Sequence, residues 1–166
     1  DGLGGGGDVD LVLQAHAGRL ERDGGTFSAS ATLPGLMNRT LVIAKPDAVE
    51  RGLAGEILAR FEAKGLKLVA AELRSVDRDT AAEHYAEHEG KGFYEELISF
   101  ITRSPALMMV IEGPDDTWQI VRTMMGATNS AAAAPGTIRG DLSPSFTENL
   151  VHGSDSPESA AREIGL

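Results

Sequence analysis

The apolar residues after position 40 alternate between strand-like runs and helix-like spacing. Two short, nearly uninterrupted apolar runs, residues 40–44 and 106–111, predict buried strands, and residues 66–76 predict a third strand. A fourth, short strand is expected around Leu150. The predicted strands are few, and the segments between them leave room for helices.

Helical periodicity fills the segments between the predicted strands. Over residues 54–61 the apolar side chains recur at i, i+3, i+4 and i+7, and Gly65 ends the pattern. Further helices are expected over residues 79–88, 93–102 and 118–125, and from Pro157, which suits the first helical position after a capping Ser156. This order of elements predicts an α+β sandwich, but it does not determine the order of the strands in the sheet.

Two segments depart from this pattern. Residues 1–36 hold 9 of the 20 glycines and no lysine, and Met37 looks like a natural start. We therefore expect residues 1–36 to be a flexible glycine-rich extension or cloning remnant, and residues 37–166 to be one domain. Residues 126–148 are a long irregular stretch, and loops of that length are usually functional or disordered.

Composition narrows the classes of function. The formal net charge of −10 argues against specific nucleic-acid binding, because a phosphate footprint needs a basic face. A nucleotide ligand, which needs only a few converging cations, is compatible with that charge. The sequence has no cysteine, and no apolar run approaches the roughly 20 residues of a membrane span. A soluble cytoplasmic protein is the simplest interpretation.

His152 is the most informative candidate for chemistry. It begins the polar segment His152-Gly153-Ser154-Asp155-Ser156, just before the predicted closing helix. Glu163 follows eleven residues later, where a short helix can turn its carboxylate back toward the imidazole. A histidine that acts as a base or nucleophile needs such an orienting group. Taken alone, however, a histidine in a polar loop is more often a solvated or capping residue.

Four further motifs precede His152 in order along the chain. They are Ala44-Lys45-Pro46-Asp47, His84-Tyr85-Ala86-Glu87-His88, Gly126-Ala127-Thr128-Asn129 and Pro135-Gly136-Thr137-Ile138-Arg139-Gly140-Asp141. Together with the segment that begins at His152, they resemble the nucleoside diphosphate kinase family, from about Asn38 to Leu166. The resemblance implies a ferredoxin-like α+β sandwich, in which helices pack on a four-stranded antiparallel sheet.

The resemblance also implies an activity. A nucleoside diphosphate kinase moves the γ-phosphoryl group of a nucleoside triphosphate such as ATP to a nucleoside diphosphate, and so maintains the pools of NTPs and dNTPs. A neutral imidazole, here that of His152, would accept the group and pass it on in a ping-pong mechanism. The resemblance further implies Mg²⁺, held mainly by the phosphates with Asp155 at most in an outer position. It also implies a homo-oligomer, either a hexamer or a tetramer.

The supporting residues follow from the same resemblance. Glu163 and Ser154 are expected to orient the imidazole, and Lys45 to reach the phosphoryl group in transfer. Tyr85 is expected to hydrogen-bond near the histidine or the γ-phosphate. The resemblance assigns the phosphates to Arg122, Thr128 and Arg139, and the sugar hydroxyls to Asn149. Each residue alone is better explained as an ordinary surface or loop residue, but their joint spacing relative to His152 favours a site.

The nucleobase contacts are a separate expectation. The resemblance places Phe93 under the base, and stacking on a ring tolerates every base. Phe146 stands where relatives commonly carry an aliphatic residue, and we hypothesise that the two rings sandwich the base. A core position or an exposed position for Phe146 is an equal alternative. Gly92, Ser130 and Glu148 also depart from the family pattern, where proline, proline and a basic residue are usual.

Two hypotheses compete with an active kinase. One is a regulatory module that binds nucleotide in the same pocket without turnover, and the intact His152 and Lys45 argue against it. The other is an interaction protein that uses the fold as a scaffold, and the negative charge makes nucleic-acid contact by such a protein the weakest alternative.

Overall fold

A computed structural model describes residues 38–166 of the chain. The expected extension over residues 1–36 and the expected domain start at Met37 lie outside the described residues, so both stay predictions. Among the described helices, none combines the length and the apolar character that crossing a bilayer requires.

Within residues 38–166, four strands form one antiparallel sheet in the order β2-β3-β1-β4. The strands are β1 Arg39–Ala44, β2 Lys67–Arg74, β3 Ala106–Glu112 and β4 Val151–Gly153. The four-stranded antiparallel sheet implied by the resemblance is therefore confirmed. The central strand β1 is flanked by β3 and β4, which places the residues after β1 next to the residues around β4.

Seven α-helices of the described residues connect and cover these strands. They are α1 Pro46–Glu50, α2 Ala54–Ala63, α3 Arg78–His84, α4 Tyr94–Thr102, α5 Thr117–Met125, α6 Ile138–Leu142 and α7 Pro157–Ile164. Short 3₁₀ turns follow α3 at Ala86–His88 and α5 at Ser130–Ala132.

The side chains of β1 alternate between two apolar clusters. Val42 and Ala44 join the largest cluster, in which the buried residues of α2 and α5, such as Phe61 and Val121, pack on the sheet. Leu41 and Ile43 point to the other face, where Ile164 of α7 packs against them. Because β1 is buried on both faces, its C-terminal end is a rigid base for the residues that follow it.

The local structure differs from the sequence-based prediction at three places. The helix expected over residues 79–88 ends at His84, because Tyr85 leaves helical geometry at φ −101° and ψ 20° and a 3₁₀ turn follows. The short helix α1 was not predicted, although Pro46 suits its first turn. The irregular stretch 126–148 contains α6, where the Thr137 hydroxyl accepts a hydrogen bond from the Gly140 amide at 3.1 Å.

Candidate active site

His152 lies on strand β4 and not in a loop. Its backbone is opposite Ile43 of β1, and the Ser154 amide continues the pairing by donating to the Leu41 carbonyl at 3.2 Å. The side chain is about one-quarter exposed, with 27% of its surface accessible. The imidazole is therefore anchored by the sheet and open on one side.

Glu163 and Ser154 hold one edge of the His152 ring. Glu163 Oε2 lies 3.1 Å from His152 Nε2 and accepts a hydrogen bond from the Ser154 hydroxyl at 2.7 Å. Burial opposes ionisation of Glu163, but the hydrogen bond and charge of His152 and the Ser154 hydroxyl outweigh it, so the carboxyl pKa is below its ordinary value. Among the hydrogen bonds of the described residues, none involves His152 Nδ1, which leaves that nitrogen available.

The position of Glu163 follows from how α7 begins. The Ser156 hydroxyl accepts the Ser159 amide at 3.0 Å, and Pro157 occupies the first turn. This is the capping arrangement that the sequence predicts. It fixes where α7 starts, and two turns later the helix delivers a buried Glu163 side chain to the imidazole.

His84 is a neighbour of His152 that the sequence analysis did not assign to the site. The two rings meet edge to face with their centroids 4.9 Å apart, and the Tyr85 ring meets His84 in the same way at 4.5 Å. Burial, together with the charge of His152, lowers the pKa of His84 to about 4. His84 is therefore neutral at pH 7 and packs beside the nucleophile candidate without adding charge. The motif that contains His84 pointed to this part of the chain. Nothing in the sequence, however, distinguished His84 from Tyr85 as the residue that contacts His152.

Tyr85 is buried next to this histidine pair. Burial raises the pKa of its hydroxyl above its ordinary value, so the group stays protonated and can donate a hydrogen bond. Its ring reaches His152 through His84.

Lys45 is a buried cation at the end of β1. Its Nζ donates to Asn149 Oδ1 at 2.6 Å and lies 4.8 Å from the centre of the Phe100 ring. Burial lowers the pKa of Lys45 to about 8, while the nearby Asp47 carboxylate acts in the opposite direction. The Lys45 amine is therefore mostly protonated, and so positively charged, at pH 7.

Arg139 and Arg122 add two more cations around β4. The buried Arg139 guanidinium donates to the carbonyls of Asn149 at 3.2 Å, Gly126 at 2.8 Å and Val151 at 2.6 Å. Arg122 Nη1 donates to the Gly153 carbonyl at 3.2 Å. Burial and the charge of Arg122 lower the pKa of Arg139 to about 10, so it remains charged at pH 7. Three cations therefore converge on the strand that carries His152, as a polyphosphate ligand requires.

Asn149 connects Lys45 to the loop that precedes β4. Its Nδ2 donates to the carbonyls of Thr128 at 2.9 Å and Phe146 at 3.1 Å, while Oδ1 accepts from Lys45. Thr128 itself is exposed. One lone pair of Asn149 Oδ1 stays free, which is compatible with the expected contact to a sugar hydroxyl.

The two aromatic candidates for base stacking are both exposed. Phe93 keeps 51% and Phe146 keeps 64% of its surface accessible, so Phe146 is not a core residue. Phe93 lies next to His88, and the centres of the two rings are 5.7 Å apart. A sandwich of the base between the two rings stays a prediction.

The described residues do not offer a magnesium site of their own. Within them, the one group of three potential metal ligands is His84, His152 and Glu163, whose ligand atoms lie within 4.8 Å of one another. Two of those ligands are imidazole nitrogens, whereas Mg²⁺ selects oxygen ligands in octahedral geometry. These residues do not fit Mg²⁺.

Comparison with known proteins identifies the family. The family model described as nucleoside diphosphate kinase matches residues 38–166, which are all of the described residues. The chain belongs to the nucleoside diphosphate kinase family.

Relatives agree with this assignment. A nucleoside diphosphate kinase of Thermomicrobium roseum is 56% identical over 130 residues, which are 78% of this chain and 87% of the relative. One from Nocardioides sp. is 59% identical over 128 residues, which are 77% of this chain and 94% of the relative. The chain is therefore an enzyme of the phosphotransferase class, as the resemblance predicted.

Solved structures of the family share the fold. A nucleoside diphosphate kinase family protein from Babesia bovis is 47% identical and matches with a TM-score of 0.75, over 78% of this chain and 86% of its own. A halophilic nucleoside diphosphate kinase from Halobacterium salinarum, solved in complex with CDP, is 50% identical and has a TM-score of 0.74, over 76% of this chain and 84% of its own.

Two residues that depart from the family pattern have partners in this chain. Glu148 accepts from Arg103 at 2.6 Å, and Arg103 also donates to Glu50 of α1 at 2.7 Å. Ser130 is buried and donates to the Ser143 hydroxyl at 2.8 Å. Both departures therefore tie the loop before β4 to its surroundings.

Proposed function

We propose that the chain transfers the γ-phosphoryl group between nucleotides through a phosphorylated His152, with Nδ1 as the nucleophile. The observation that carries this proposal is the asymmetry of the ring. Nε2 faces the buried Glu163 carboxylate, whereas Nδ1 has no hydrogen bond within the described residues. A nucleophile oriented by a third group is the arrangement that covalent catalysis needs.

In the first half-reaction, a bond forms between Nδ1 and the γ-phosphorus while the bond from that phosphorus to the β–γ bridging oxygen breaks. The bridging oxygen keeps the electron pair and leaves on the nucleoside diphosphate. The ring becomes positively charged as it is phosphorylated, and the Glu163 carboxylate stabilises that charge through the hydrogen bond from the Nε2–H that is already in place. The second half-reaction is the reverse, with a terminal phosphate oxygen of another diphosphate as the nucleophile.

Lys45, Arg122 and Arg139 have the charge and position to neutralise the phosphates. Lys45 is a compact point charge, and the arginines offer planar forks that match phosphate oxygens. Removing one such contact typically costs about 10²–10³ in rate. Tyr85 donates a hydrogen bond near the histidine or the γ-phosphate, and Thr128 takes part in holding the phosphates.

Nucleotide selectivity is expected to be broad. Phe93 and Phe146 present ring faces, which read no hydrogen-bonding pattern of the base. The CDP bound by the Halobacterium salinarum relative supports a site of this kind that accepts a pyrimidine, and Asn149 supplies the contact to the sugar. An unchanged nucleotide affinity in Phe146→Val would contradict the sandwich.

Three further features belong to the proposal. Mg²⁺ enters with the nucleotide, bound to its phosphates and not to residues of the chain, where it neutralises phosphate charge. The enzyme works in the cytoplasm. It assembles as a hexamer or tetramer, and the exposed apolar residues of edge strand β2, Val69 and Leu73, support an assembly of copies.

Incubation with γ-labelled ATP and Mg²⁺ tests the proposal. Label on the protein that survives alkali, is lost in acid, leaves on addition of a nucleoside diphosphate and is absent from His152→Ala supports the covalent relay. Nucleotide binding without label transfer would overturn it in favour of a regulatory module.

A further inference from the structure

Asp47 is a buried carboxylate that the proposed reaction does not use. It is the second residue of α1, and only 2% of its surface is accessible. Its Oδ2 accepts a hydrogen bond from the Leu150 amide at 3.0 Å, while its buried Oδ1 has no partner within the described residues. A buried carboxylate with one unpaired oxygen is costly, so its presence beside the site calls for a role.

The partner of Asp47 is a residue in an unfavourable backbone conformation. Leu150 has φ +67°, in the left-handed region that a leucine rarely adopts. Its amide is held by Asp47, and its carbonyl accepts from the Lys45 amide at 2.9 Å. The segment after β1 therefore binds both backbone polar groups of Leu150, its amide and its carbonyl. Because Leu150 lies between Asn149 and β4, its conformation sets the direction in which the chain enters β4 and reaches His152.

Asp47 also balances the charge of Lys45. The charged groups that face Lys45 are Asp47, Arg139, Glu148 and Arg103. Among them, Asp47 has the largest electrostatic effect and favours the protonated amine, whereas the two arginines oppose it. None of the ion pairs among the described residues joins Lys45 and Asp47, so Asp47 acts on this charge through space.

We propose that Asp47 is a positioning residue of the phosphoryl-transfer site, which clamps the Leu150 peptide and supplies the negative charge that keeps Lys45 cationic. The inference rests on the proposed function, in which a charged Lys45 meets the phosphoryl group. It predicts that the charge of Asp47 and its hydrogen bond make separable contributions.

The substitution Asp47→Asn separates them. Asparagine has nearly the same size and keeps an oxygen that can accept the Leu150 amide, but it lacks the negative charge. Asp47→Ala removes both contributions and leaves a buried amide unpaired, so it is expected to lower the melting temperature more than Asp47→Asn. Asp115→Asn is the matched control. Asp115 is exposed and follows the C-terminal end of β3, whereas Lys45 lies near the N-terminal end of that strand.

The direct readout is the titration of Lys45, followed by NMR of the chain labelled with ¹³C at the lysine ε-carbons. The chain has four lysines, so each signal can be assigned by substitution. In the wild type we expect the pKa of Lys45 near the value of about 8 that its burial causes. In Asp47→Asn the pKa is expected to fall by about one unit, while Asp115→Asn leaves it unchanged.

The kinetic readout is kcat/KM for phosphorylation of His152 by ATP as a function of pH, which reports groups of the free enzyme. Protonated Lys45 is lost as pH rises through its pKa, so the basic limb lies near pH 8 in the wild type. A one-unit fall moves that limb down and lowers kcat/KM about two-fold at pH 7 and about five-fold at pH 8. A merely structural role would lower the rate equally at all pH values.

Two results would overturn the inference. One is a Lys45 titration that is the same in Asp47→Asn and in the wild type. The other is a shifted Lys45 titration with an unchanged pH profile of phosphorylation. If wild-type His152 is not phosphorylated at all, the proposed function fails, but the titration still decides whether Asp47 controls the charge of Lys45.

Discussion

The two ring nitrogens of His152 have different surroundings, and this difference determines what the residue can do. On the Nε2 side, Glu163 and Ser154 form a buried hydrogen-bonded pair, and the Glu163 carboxylate lies 3.1 Å from that nitrogen. The carboxylate fixes the tautomer with the proton on Nε2, which makes Nδ1 the nitrogen with a free lone pair. His84 packs on the ring without competing for protons, because its pKa is about 4.

Glu163→Gln should slow phosphorylation of His152. Glutamine keeps the length of the side chain but cannot stabilise the positive ring. We therefore expect kcat/KM to fall by about 10- to 100-fold, by analogy with the loss of the hydrogen-bonded partner of a metal-binding histidine. Ser154→Ala should cost less, because the carboxylate remains. Glu158→Gln, an exposed glutamate on the same helix, is the control. Equal rates for Glu163→Gln and the control in a rapid-quench assay would contradict this role.

At the residue scale, part of the site could be predicted from the sequence and part could not. The helix start at Ser156-Pro157 and the spacing of eleven residues suggest that Glu163 faces His152, because both signals are local. The clamp of Leu150 by Asp47 joins residues 103 positions apart and depends on a positive φ. No periodicity or motif in one sequence carries that information.

The pattern of apolar and polar residues predicts some strands and helices better than others. The strands β1 and β3 were predictable, because they appear as continuous apolar runs, with β1 buried on both faces and β3 buried or half-buried along its length. The helices α1 and α6 have five residues each, too few for a periodic pattern. Pro46 in the first turn starts α1, and the Thr137 cap starts α6. The strand order depends on contacts between distant segments, and the structure, not the sequence, shows it.

The turn between α3 and α4 provides a test at the scale of elements. A Cβ added at Gly92 would meet no atom within 4 Å, and the φ of Gly92 is not positive, whereas Gly90 has φ +80°. Gly92→Ala should therefore raise the free energy of unfolding by about 0.4–1 kcal/mol, because it restricts the unfolded chain. Gly90→Ala should lower that free energy by about 1 kcal/mol or more.

Urea unfolding of both variants measures these changes. Since Gly92 precedes Phe93, we also expect Gly92→Ala to bind nucleotide at least as tightly as the wild type. A destabilised Gly92→Ala, or a Gly90→Ala as stable as the wild type, would show that the turn has a different conformation.

The molecule as a whole is acidic, with a net charge of −10, yet three cations surround the strand that carries His152. A local cluster of this kind attracts phosphates in spite of the overall charge, because salt at physiological concentration screens exposed charges more than about 8–10 Å away. The net charge therefore argues against binding to a large polyanion, whereas the positions of a few converging cations favour a phosphate ligand.

The proposed assembly makes a prediction at this scale. Strand β2 pairs with β3 on one side and, within residues 38–166, with no strand on the other, and Leu73 on it keeps 61% of its surface accessible. Leu73→Lys should weaken self-association, because a lysine on an edge strand opposes pairing with another copy. Sedimentation should give a smaller species than for the control Glu62→Gln, which makes the same unit change of charge on the exposed side of α2. A wild type that sediments as a monomer would contradict the assembly itself.

The most direct test of the account is to identify which nitrogen of His152 carries the phosphoryl group. The chain is phosphorylated with ATP and Mg²⁺, and ³¹P–¹H correlation NMR of the product distinguishes the two isomers of phosphohistidine. We expect phosphate on Nδ1, discharged by a nucleoside diphosphate, because Glu163 occupies the Nε2 side. Phosphate on Nε2, or no phosphohistidine at all, would contradict it.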